Sequence, residues 1–303
     1  MTISLNYKTF SWQHIDDYTN LLNRLALDNK NNYKYNLSDI KEKLSYPSFN
    51  PQKNLFLISN NNNEPIGYIS FNEEKFINRV ILDIKILKLH KNDENQTKII
   101  RKALELASSL HTEKLNIQTS EYDKSIQNSL TNFNFKKIKI YFNMQLKKMP
   151  VINLEPPNDF FFSTFLQDND EEKLTKLQNS VFKDSWGFCP NTTEEIKYRI
   201  KMHNTKPEGI IILKNRQEYV GYNWTTYKNK SGKISMTGIL PQFRSKGLGN
   251  ILVGKGIEYL FNNNHSTVEL EVDSNNIKAL QIYKKLGFNK SSEIWWYEKE
   301  ISN

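Results

Sequence analysis

The sequence predicts an α/β protein of two tandem domains, each with a mixed, mostly antiparallel sheet flanked by helices. Two observations predict this fold class. The same order of elements occurs twice: three short strands, then a helix, a strand, a helix and a last strand. Between the two copies, residues 148–157 contain proline breaks that are typical of a linker. The domains are therefore predicted at residues 1–150 and 155–303.

The first half begins with three apolar runs separated by polar turns, which predict an antiparallel meander. These runs lie near residues 54–59, 65–71 and 79–86. The elements predicted after them are a helix near 96–110, a strand near 114–119, a helix near 125–131 and a strand near 138–146.

The second half repeats this order. Its meander strands are predicted near residues 209–213, 219–227 and 233–240. The later elements are predicted near 248–261, 267–272, 276–286 and 294–301. A constant offset of 153 residues aligns the helix–strand–helix segments, so that Ile117 matches Leu270 and Phe135 matches Phe288. The alternative is a chance likeness of two α/β halves, and the constant register argues against it.

Composition limits the class of protein. The chain has 303 residues, of which 38% are hydrophobic and 25% charged, as in globular proteins. No apolar run is long enough to span a bilayer, and the first residues do not resemble a signal peptide, so we expect a cytoplasmic protein without a membrane partner. The single cysteine, Cys189, excludes an intramolecular disulfide and gives no metal cluster.

The formal net charge of +9 has two readings. It reflects either a lysine-rich surface or a field that attracts an anionic, phosphate-rich ligand. A nucleic-acid partner is not expected, because the sequence contains no recognisable nucleic-acid-reading motif and no long basic block.

One segment of the second half suits the binding of a diphosphate. Residues 244–249, Arg-Ser-Lys-Gly-Leu-Gly, lie between a predicted strand and a predicted helix. The first turn of a helix has unpaired N–H groups and a partial positive charge, and glycine lets a phosphate approach the backbone. Arg244 and Lys246 add charge. The alternative for a pair of glycines is an ordinary tight turn entering a helix.

The segment that follows strengthens this interpretation. After the strand at 268–273, Asn276 is suited to cap a helix, and Ala279 and Tyr283 follow at helical spacing. Gly287 is a natural end for that helix.

Together, Arg-x-x-Gly-x-Gly at 244–249 and Asn-x-x-Ala-x-x-x-Tyr at 276–283, followed by Gly287-Phe288, resemble the GNAT superfamily of acyl-CoA-dependent N-acyltransferases. The resemblance covers about residues 155–303. The first half resembles it only in strand order and in Asn134-Phe135. Two such halves in one chain resemble mycothiol synthase and related tandem GNAT proteins.

The resemblance implies acetyl-CoA as co-substrate and no metal. It places the pyrophosphate on the 244–249 loop, the pantetheine between the strands that end near Leu240 and Val272, and the carbonyl oxygen on a backbone N–H near Ile239 or Leu240. The cofactor-binding residues it implies are Ile239, Leu240, Arg244, Ser245, Lys246, Gly247, Leu248, Gly249, Asn250, Asn276, Ala279 and Tyr283.

The resemblance also implies a general acid. In the superfamily, a tyrosine seven residues after the helix-opening asparagine protonates the leaving sulfur, and Tyr283 stands at that position. The alternative is a core-facing aromatic residue on an amphipathic helix.

Glu271 is the candidate base, because ribosomal-protein N-terminal acetyltransferases of this superfamily place a glutamate in that strand, twelve residues before the tyrosine. Alternation puts Glu269, Glu271 and Asp273 on one face of the strand. The alternatives are a solvent-facing acidic stripe, or a base that acts through a water.

The first half lacks the equivalent residues. The offset maps the loop onto residues 91–96, which contain no glycine and place Asp93 and Glu94 at the phosphate position. Gln118 replaces the candidate base and Leu130 the candidate acid. We therefore expect a degenerate domain that does not bind acetyl-CoA in the usual way. It serves as a scaffold or as one wall of the acceptor site, or it binds another ligand.

The acceptor is expected to be a primary amine. In the superfamily the segment corresponding to residues 182–195 shapes the acceptor site, and Asp184, Trp186 and Phe188 could line a pocket for a cation. The alternative is that the two aromatic residues pack the loop onto the core.

The leading hypothesis is an N-acetyltransferase that acts on a small-molecule amine, as a monomer or homodimer. The alternatives are acetylation of protein N-termini or lysines, or a non-catalytic acetyl-CoA-binding protein.

Overall fold

The computed structural model describes residues 4–29, 33–110, 112–216 and 218–301. The chain divides into two compact units. Unit 1 comprises residues 1–139 and 294–303, and unit 2 comprises residues 140–293.

Unit 1 has a meander of antiparallel strands followed by a parallel strand. Its elements are β1 (Asn6–Thr9), α1 (Ile15–Asp28), α2 (Leu37–Leu44), α3 (Pro51–Asn54), β2 (Leu55–Ser59), β3 (Pro65–Glu74), β4 (Arg79–Ile86), α4 (Asp93–Ala107), β5 (Lys114–Ser120) and α5 (Lys124–Asn132). Neighbouring strands in the order β1-β2-β3-β4 are antiparallel, and β4 pairs with β5 in parallel.

Unit 2 repeats this architecture. Two strands have residues in both units: β6 (Lys136–Leu146) and β12 (Asn289–Glu300). The other elements are β7 (Phe160–Thr164), α6 (Glu171–Phe182), α7 (Thr193–Lys201), β8 (Ile210–Asn215), β9 (Glu218–Lys228), β10 (Ser231–Ile239), α8 (Leu248–Asn262), β11 (Thr267–Asp273) and α9 (Ile277–Lys285). The strand order is β12-β6-β11-β10-β9-β8-β7, and the β10–β11 pair is parallel. The predicted fold class is confirmed.

The compact units do not follow the predicted boundaries of 1–150 and 155–303. Residues 294–300 of β12 pair with β5 in unit 1, and residues 141–146 of β6 pair with β11 in unit 2. Each repeat therefore gives its last strand to the unit of the other repeat. An unpaired strand edge leaves backbone N–H and C=O groups unsatisfied, and either last strand can satisfy them. Alternation in a sequence identifies a strand but does not identify its partner, so the exchange was not predicted.

Local signals place several element ends. α7 begins after Thr192, whose hydroxyl accepts from the Glu195 N–H while the Glu195 carboxylate accepts from the Thr192 N–H. This reciprocal pair is a capping box, and it fixes the start of the helix. α4 begins at Asp93, three residues before its predicted start, because the Asn92 side chain caps it by accepting from the Asn95 N–H.

Helices cover both faces of the β8–β10 part of the unit 2 sheet. α6 and α7 pack on the side of Tyr222 and Trp224, which are fully buried. α8 and α9 pack on the other side, where Leu270 of β11 lies in their core. Fully burying an apolar side chain such as that of Leu270 stabilises the unit by about 1.5–3 kcal/mol. The opposite face of β11 carries Glu269 and Glu271, both exposed.

Candidate active site

The loop before α8 leaves the helix N-terminus open. Ser245 and Gly247 have φ angles of 64° and 77°, in the left-handed region, and they turn the backbone around the start of α8. Gly247 occupies the N-cap position, and no side chain caps the helix. A Cβ built on Gly247 would meet nothing within 4 Å. The space at the N-terminus of α8 is therefore open, which is the arrangement that binds an anion.

The two glycines of the loop have different roles. A Cβ on Gly249 would lie 3.1 Å from Cδ1 of Ile282 in α9, so Gly249 allows the two helices to pack closely. Gly247 supplies the left-handed backbone and the open space.

The Arg244 side chain anchors the loop. Its Nε donates to the Ile239 carbonyl at 2.9 Å, and its Nη2 donates to the Val181 carbonyl at 2.9 Å. These bonds join the loop to the end of β10 and to α6. Lys246 is exposed, with its Nζ 5.6 Å from the centre of the Phe243 ring. A phosphate contact by either side chain stays a prediction.

β10 and β11 separate as they approach this loop. Their parallel pairing joins Ser231–Lys233 to Thr267–Glu269 and ends there, although β10 continues to Ile239 and β11 to Asp273. The pairing of β10 with β9 shifts between Ile234 and Met236, so Ser235 is an extra, bulged residue. A bulge bends a strand and increases its twist. The gap between the strands is thus open at the end that leads into the 244–249 loop.

Backbone geometry separates the two candidate donors for a carbonyl oxygen. The Leu240 N–H donates to the Val220 carbonyl at 2.9 Å and is occupied. Successive N–H groups of a strand point to opposite sides, so the Ile239 N–H points away from β9, towards the gap. Of the two predicted positions, Ile239 is the one with a suitable orientation.

Tyr283 lies in the core beside β11. Its ring is 8% exposed and contacts Phe288 edge-on, with 5.9 Å between ring centres. Burial raises the pKa of its hydroxyl to about 12. Asn276 caps α9 by accepting from the Ala279 N–H at 3.2 Å, as predicted, and this fixes the start of the helix that carries Tyr283.

Glu271 lies on the other face of β11. Its Oε1 is 2.6 Å from Nζ of Lys233, and the two side chains are 40% and 41% exposed. In the β6 ladder, Glu271 stands opposite Asn143. Tyr283 and Glu271 are therefore separated by the strand itself, and a reacting group within reach of both must lie in the gap between β10 and β11.

A cavity of about 270 Å³ opens beside Glu271. Its lining residues are Asn143, Met144, Lys233, Glu269, Leu270, Glu271, Ser291 and Ser292. Of these, only Glu271 was predicted as a site residue. Lys233, Asn143 and the two serines were missed, because the sequence does not show which strands become neighbours.

The predicted acceptor loop contributes aromatic packing. Trp186 lies 6.4 Å from Tyr141 and Phe188 lies 5.8 Å from Phe182, measured between ring centres, and both residues are half-buried. Asp184 is exposed. Tyr141 stands opposite Asp273 on the acidic face of β11, so Trp186 borders that face. A direct contact with an acceptor stays a prediction for all three residues.

The equivalent helix of unit 1 is closed by its own side chains. Besides the Asn92 cap, Asp93 accepts from Ser125 Oγ at 2.6 Å, and Gln96 donates to the same hydroxyl. Lys91 is ion-paired with Asp123. The pairing of β3 with β4 runs in a continuous register without a bulge. In unit 1, α4 thus lacks the open N-terminus of α8, and the β3–β4 pairing lacks the bulge of the β9–β10 pairing.

Within residues 4–29, 33–110, 112–216 and 218–301, no helix is long and apolar enough to cross a membrane. Within the same residues, no group of three or more His, Cys, Asp or Glu side chains is arranged to hold a metal ion.

Residues 172–288 match the acetyltransferase (GNAT) family. Among curated proteins, the chain is 26% identical over 153 residues to a mycothiol acetyltransferase of Stackebrandtia nassauensis, covering 48% of this chain and 50% of that protein. A mycothiol acetyltransferase of Thermomonospora curvata is 24% identical over 157 residues, 51% of this chain and 53% of the relative. The matched part spans about half the length of these curated relatives.

Solved structures resemble the chain over nearly its whole length. A GCN5-related N-acetyltransferase from Sphaerobacter thermophilus has a TM-score of 0.76 at 14% identity, over 99% of this chain and 96% of the other. A tandem GNAT protein from the clavulanic acid biosynthesis pathway has a TM-score of 0.76 at 13% identity, over 99% and 100%. At these identities the likeness concerns the fold. With the family match, these findings confirm the predicted resemblance to tandem GNAT proteins.

Proposed function

We propose that this chain, which carries a GNAT acetyltransferase domain within residues 172–288, transfers an acetyl group from acetyl-CoA to a primary amine of a small molecule. The observation that carries the proposal is the open N-terminus of α8 at Gly247, next to the gap between β10 and β11. A diphosphate suits the first feature, and an extended thioester arm suits the second.

The fit to acetyl-CoA rests on backbone and space. The residues that would hold its pyrophosphate are 245–249, through their N–H groups, and the wide end of the gap would receive the arm. Bound there, acetyl-CoA supplies an activated acetyl thioester. In unit 1 the β4–β5 pairing also ends before the two strands do, but the Asn92 side chain caps the first turn of α4, so we propose one such site per chain.

The chemistry assigned to this chain's side chains has three parts. Glu271 takes a proton from the acceptor ammonium, which frees the nitrogen lone pair for attack. The Ile239 N–H donates to the carbonyl oxygen as charge develops on it. Tyr283 gives its proton to the departing sulfur as the N–C bond forms and the C–S bond breaks, and the second proton lost by the nitrogen restores the Tyr283 hydroxyl.

The protonation state of Tyr283 is compatible with its role. With a pKa raised to about 12, its hydroxyl stays protonated at neutral pH and is available as a donor. Without such a donor the sulfur would leave as a thiolate, since the pKa of a free thiol is about 8.5.

Thiol release from acetyl-CoA, measured against a panel of small amines with product identification by mass spectrometry, tests this function. We expect Tyr283→Phe and Glu271→Gln each to lower kcat by about 10²-fold, the usual contribution of a positioned acid or base. Thermal unfolding of both variants is the control for folding. If neither substitution slowed turnover, the assigned acid and base would be wrong.

A further inference from the structure

We propose that the cavity beside Glu271 is the acceptor pocket, and that it selects small, singly cationic amines that carry hydroxyl groups next to the amine. This inference rests on the proposed function and adds the class of acceptor. The charge, the hydrogen-bonding groups and the size of the cavity support it.

The charge of the lining favours one cation. Glu269 and Glu271 contribute two negative charges and Lys233 one positive charge, which leaves the cavity with a net charge of −1. Lys233 pairs with Glu271 at 2.6 Å, and Gln145 Nε2 donates to Glu269 Oε1 at 3.3 Å. An acceptor with a carboxylate or phosphate would meet like charge from both acids, whereas an ammonium group would be attracted.

The neutral side chains of the lining are hydrogen-bonding groups. Asn143 Nδ2 donates to Ser292 Oγ at 2.8 Å, and Ser291 Oγ donates to the Asn143 carbonyl at 3.1 Å. Three hydrogen-bonding groups of these side chains have no partner among the described residues. They are the second N–H of Asn143, the Oδ1 of Asn143 and the hydroxyl proton of Ser292. They provide donors and an acceptor for the hydroxyl groups of a ligand.

Apolar side chains contribute little to this cavity. Met144 and Leu270 belong to the lining, but their side chains are 2% exposed and pack in the core with α8 and α9. They therefore present mainly backbone to the cavity. An alkyl amine would displace water from polar walls without gaining apolar contacts, whereas a hydroxylated amine can replace the hydrogen bonds of that water.

The size and position of the cavity fit this assignment. A volume of about 270 Å³ corresponds to about nine water molecules at about 30 Å³ each, and so to an acceptor of roughly ten non-hydrogen atoms. Because Glu271 is both part of the lining and the proposed base, an amine bound here would lie next to the group that deprotonates it.

The test compares two amines with the same carbon skeleton, 2-amino-1,3-propanediol and isopropylamine, at saturating acetyl-CoA with the full chain. The measured quantity is the ratio of kcat/KM for the diol to that for the alkyl amine. The intrinsic reactivity of each amine is the same in every variant, so a change in the ratio reports on the cavity. We expect this ratio to fall about fivefold in Asn143→Leu and in Ser292→Ala, as for the loss of one hydrogen bond.

Asn289→Ala is the matched control. Asn289 lies on the same strand as Ser292, is exposed, and is not part of the cavity lining. The ratio measured for this variant should equal that of the unaltered chain.

Serine is a third probe, because it adds a carboxylate to a similar skeleton. Glu269→Gln should raise kcat/KM for serine relative to that for the diol.

The outcomes separate this inference from the proposed function. An unchanged ratio in both cavity variants, with turnover retained, would overturn the cavity assignment and leave the proposed function standing. Absence of thiol release with every amine would overturn the proposed function. In that case, binding of the diol detected by saturation-transfer NMR, and lost in Asn143→Leu, would still support the cavity as a site for hydroxylated amines, and no such binding would overturn it.

Discussion

Lys233 holds the carboxylate that the proposed mechanism uses as a base. Its ammonium group occupies the position next to Glu271 where an acceptor ammonium would have to bind. An ion pair with about 40% exposure on each side is weak, and such pairs typically contribute about 0–1 kcal/mol. An acceptor amine can therefore displace Lys233 at a small cost.

This competition gives a prediction for Lys233→Met. Removing the ammonium should lower KM for a cationic acceptor by up to about fivefold, because about 1 kcal/mol of competition is lost, with kcat changed less. Steady-state kinetics with a single amine measure the effect. Lys230→Met, an exposed lysine near the same hairpin, is the control. A higher KM in Lys233→Met would show that Lys233 helps to bind the acceptor rather than competing with it.

The sequence predicts those residues of the site whose role depends on near neighbours along the chain. The Asn276 cap depends on spacing within a few residues, and the structure confirms it. The partner of Glu271 could not be predicted, since Lys233 lies 38 residues away along the chain. Nor could the sequence show that the Leu240 N–H donates to the Val220 carbonyl, because backbone hydrogen bonds do not depend on residue type.

At the element scale, the helix N-termini of α4 and α8 show how one architecture gives two different surfaces. α4 begins after an asparagine whose side chain caps its first turn, and two acidic residues follow, whereas α8 begins with an uncapped glycine. This difference is visible in the sequence, since Glu94 and Gln96 stand where the other half has Gly247 and Gly249. The bulge at Ser235 is not visible, because no glycine or proline marks it.

The exchange of β6 and β12 predicts the result of a truncation. A chain that ends after residue 293 should lose the antiparallel partner of β5, including Tyr297, which is 6% exposed in the core of unit 1. Those amides of Lys114–Ser120 that bond to β12 should then exchange hydrogen faster, although β4 still pairs with the other edge of β5, whereas the amides of Thr267–Asp273 stay protected by β6. Hydrogen exchange followed by mass spectrometry measures both segments.

A chain cut after Ile301 serves as the control for this truncation. Suppose that Lys114–Ser120 were equally protected in the two chains and that Thr267–Asp273 lost protection in the chain that ends after residue 293. The last strand would then pair within the unit of its own repeat. That result would restore the boundaries expected from the sequence.

At the scale of the whole molecule, buried tyrosines predict how stability depends on pH. Tyr18, Tyr68, Tyr222 and Tyr283 are buried, and burial raises the pKa of each hydroxyl. Their pKa values are therefore higher in the folded than in the unfolded chain, where the value is about 10. The stability linked to these groups is fully present below about pH 10 and is lost as pH rises from there through the folded pKa values.

We expect the free energy of unfolding to be nearly constant between about pH 7 and 9.5 and to fall above about pH 10, by up to about 1.4 kcal/mol per pH unit for each buried tyrosine. Urea unfolding followed by circular dichroism measures it. Tyr283→Phe should make the fall less steep, because one titrating group is removed. Stability that stays constant up to about pH 11 would contradict the burial of these hydroxyls.

The tandem α/β architecture of the whole molecule was predicted from the sequence, because periodicity and a constant offset report on elements and their order. The pairing of the last strands was not, because it depends on contacts that are distant in sequence. The same limit applies to the cavity, whose lining comes from β6, β10, β11 and β12 and is assembled only in the folded unit.

The central claim is that acetyl-CoA binds with its pyrophosphate on residues 244–249, at one site per chain. Isothermal titration calorimetry with acetyl-CoA should give a stoichiometry of one per chain. Gly247→Glu should weaken binding by at least about 30-fold, the equivalent of about 2 kcal/mol, because it places a negative charge at the phosphate position.

Two controls make this titration specific. Gly247→Gln has the same shape and the same backbone strain without the charge, so it should bind more tightly than Gly247→Glu. Glu94→Gln, at the equivalent position of unit 1, should bind as the unaltered chain does. One site that is lost in Gly247→Glu is the predicted result. Two sites per chain, or equal affinity for the unaltered chain and Gly247→Glu, would contradict the claim.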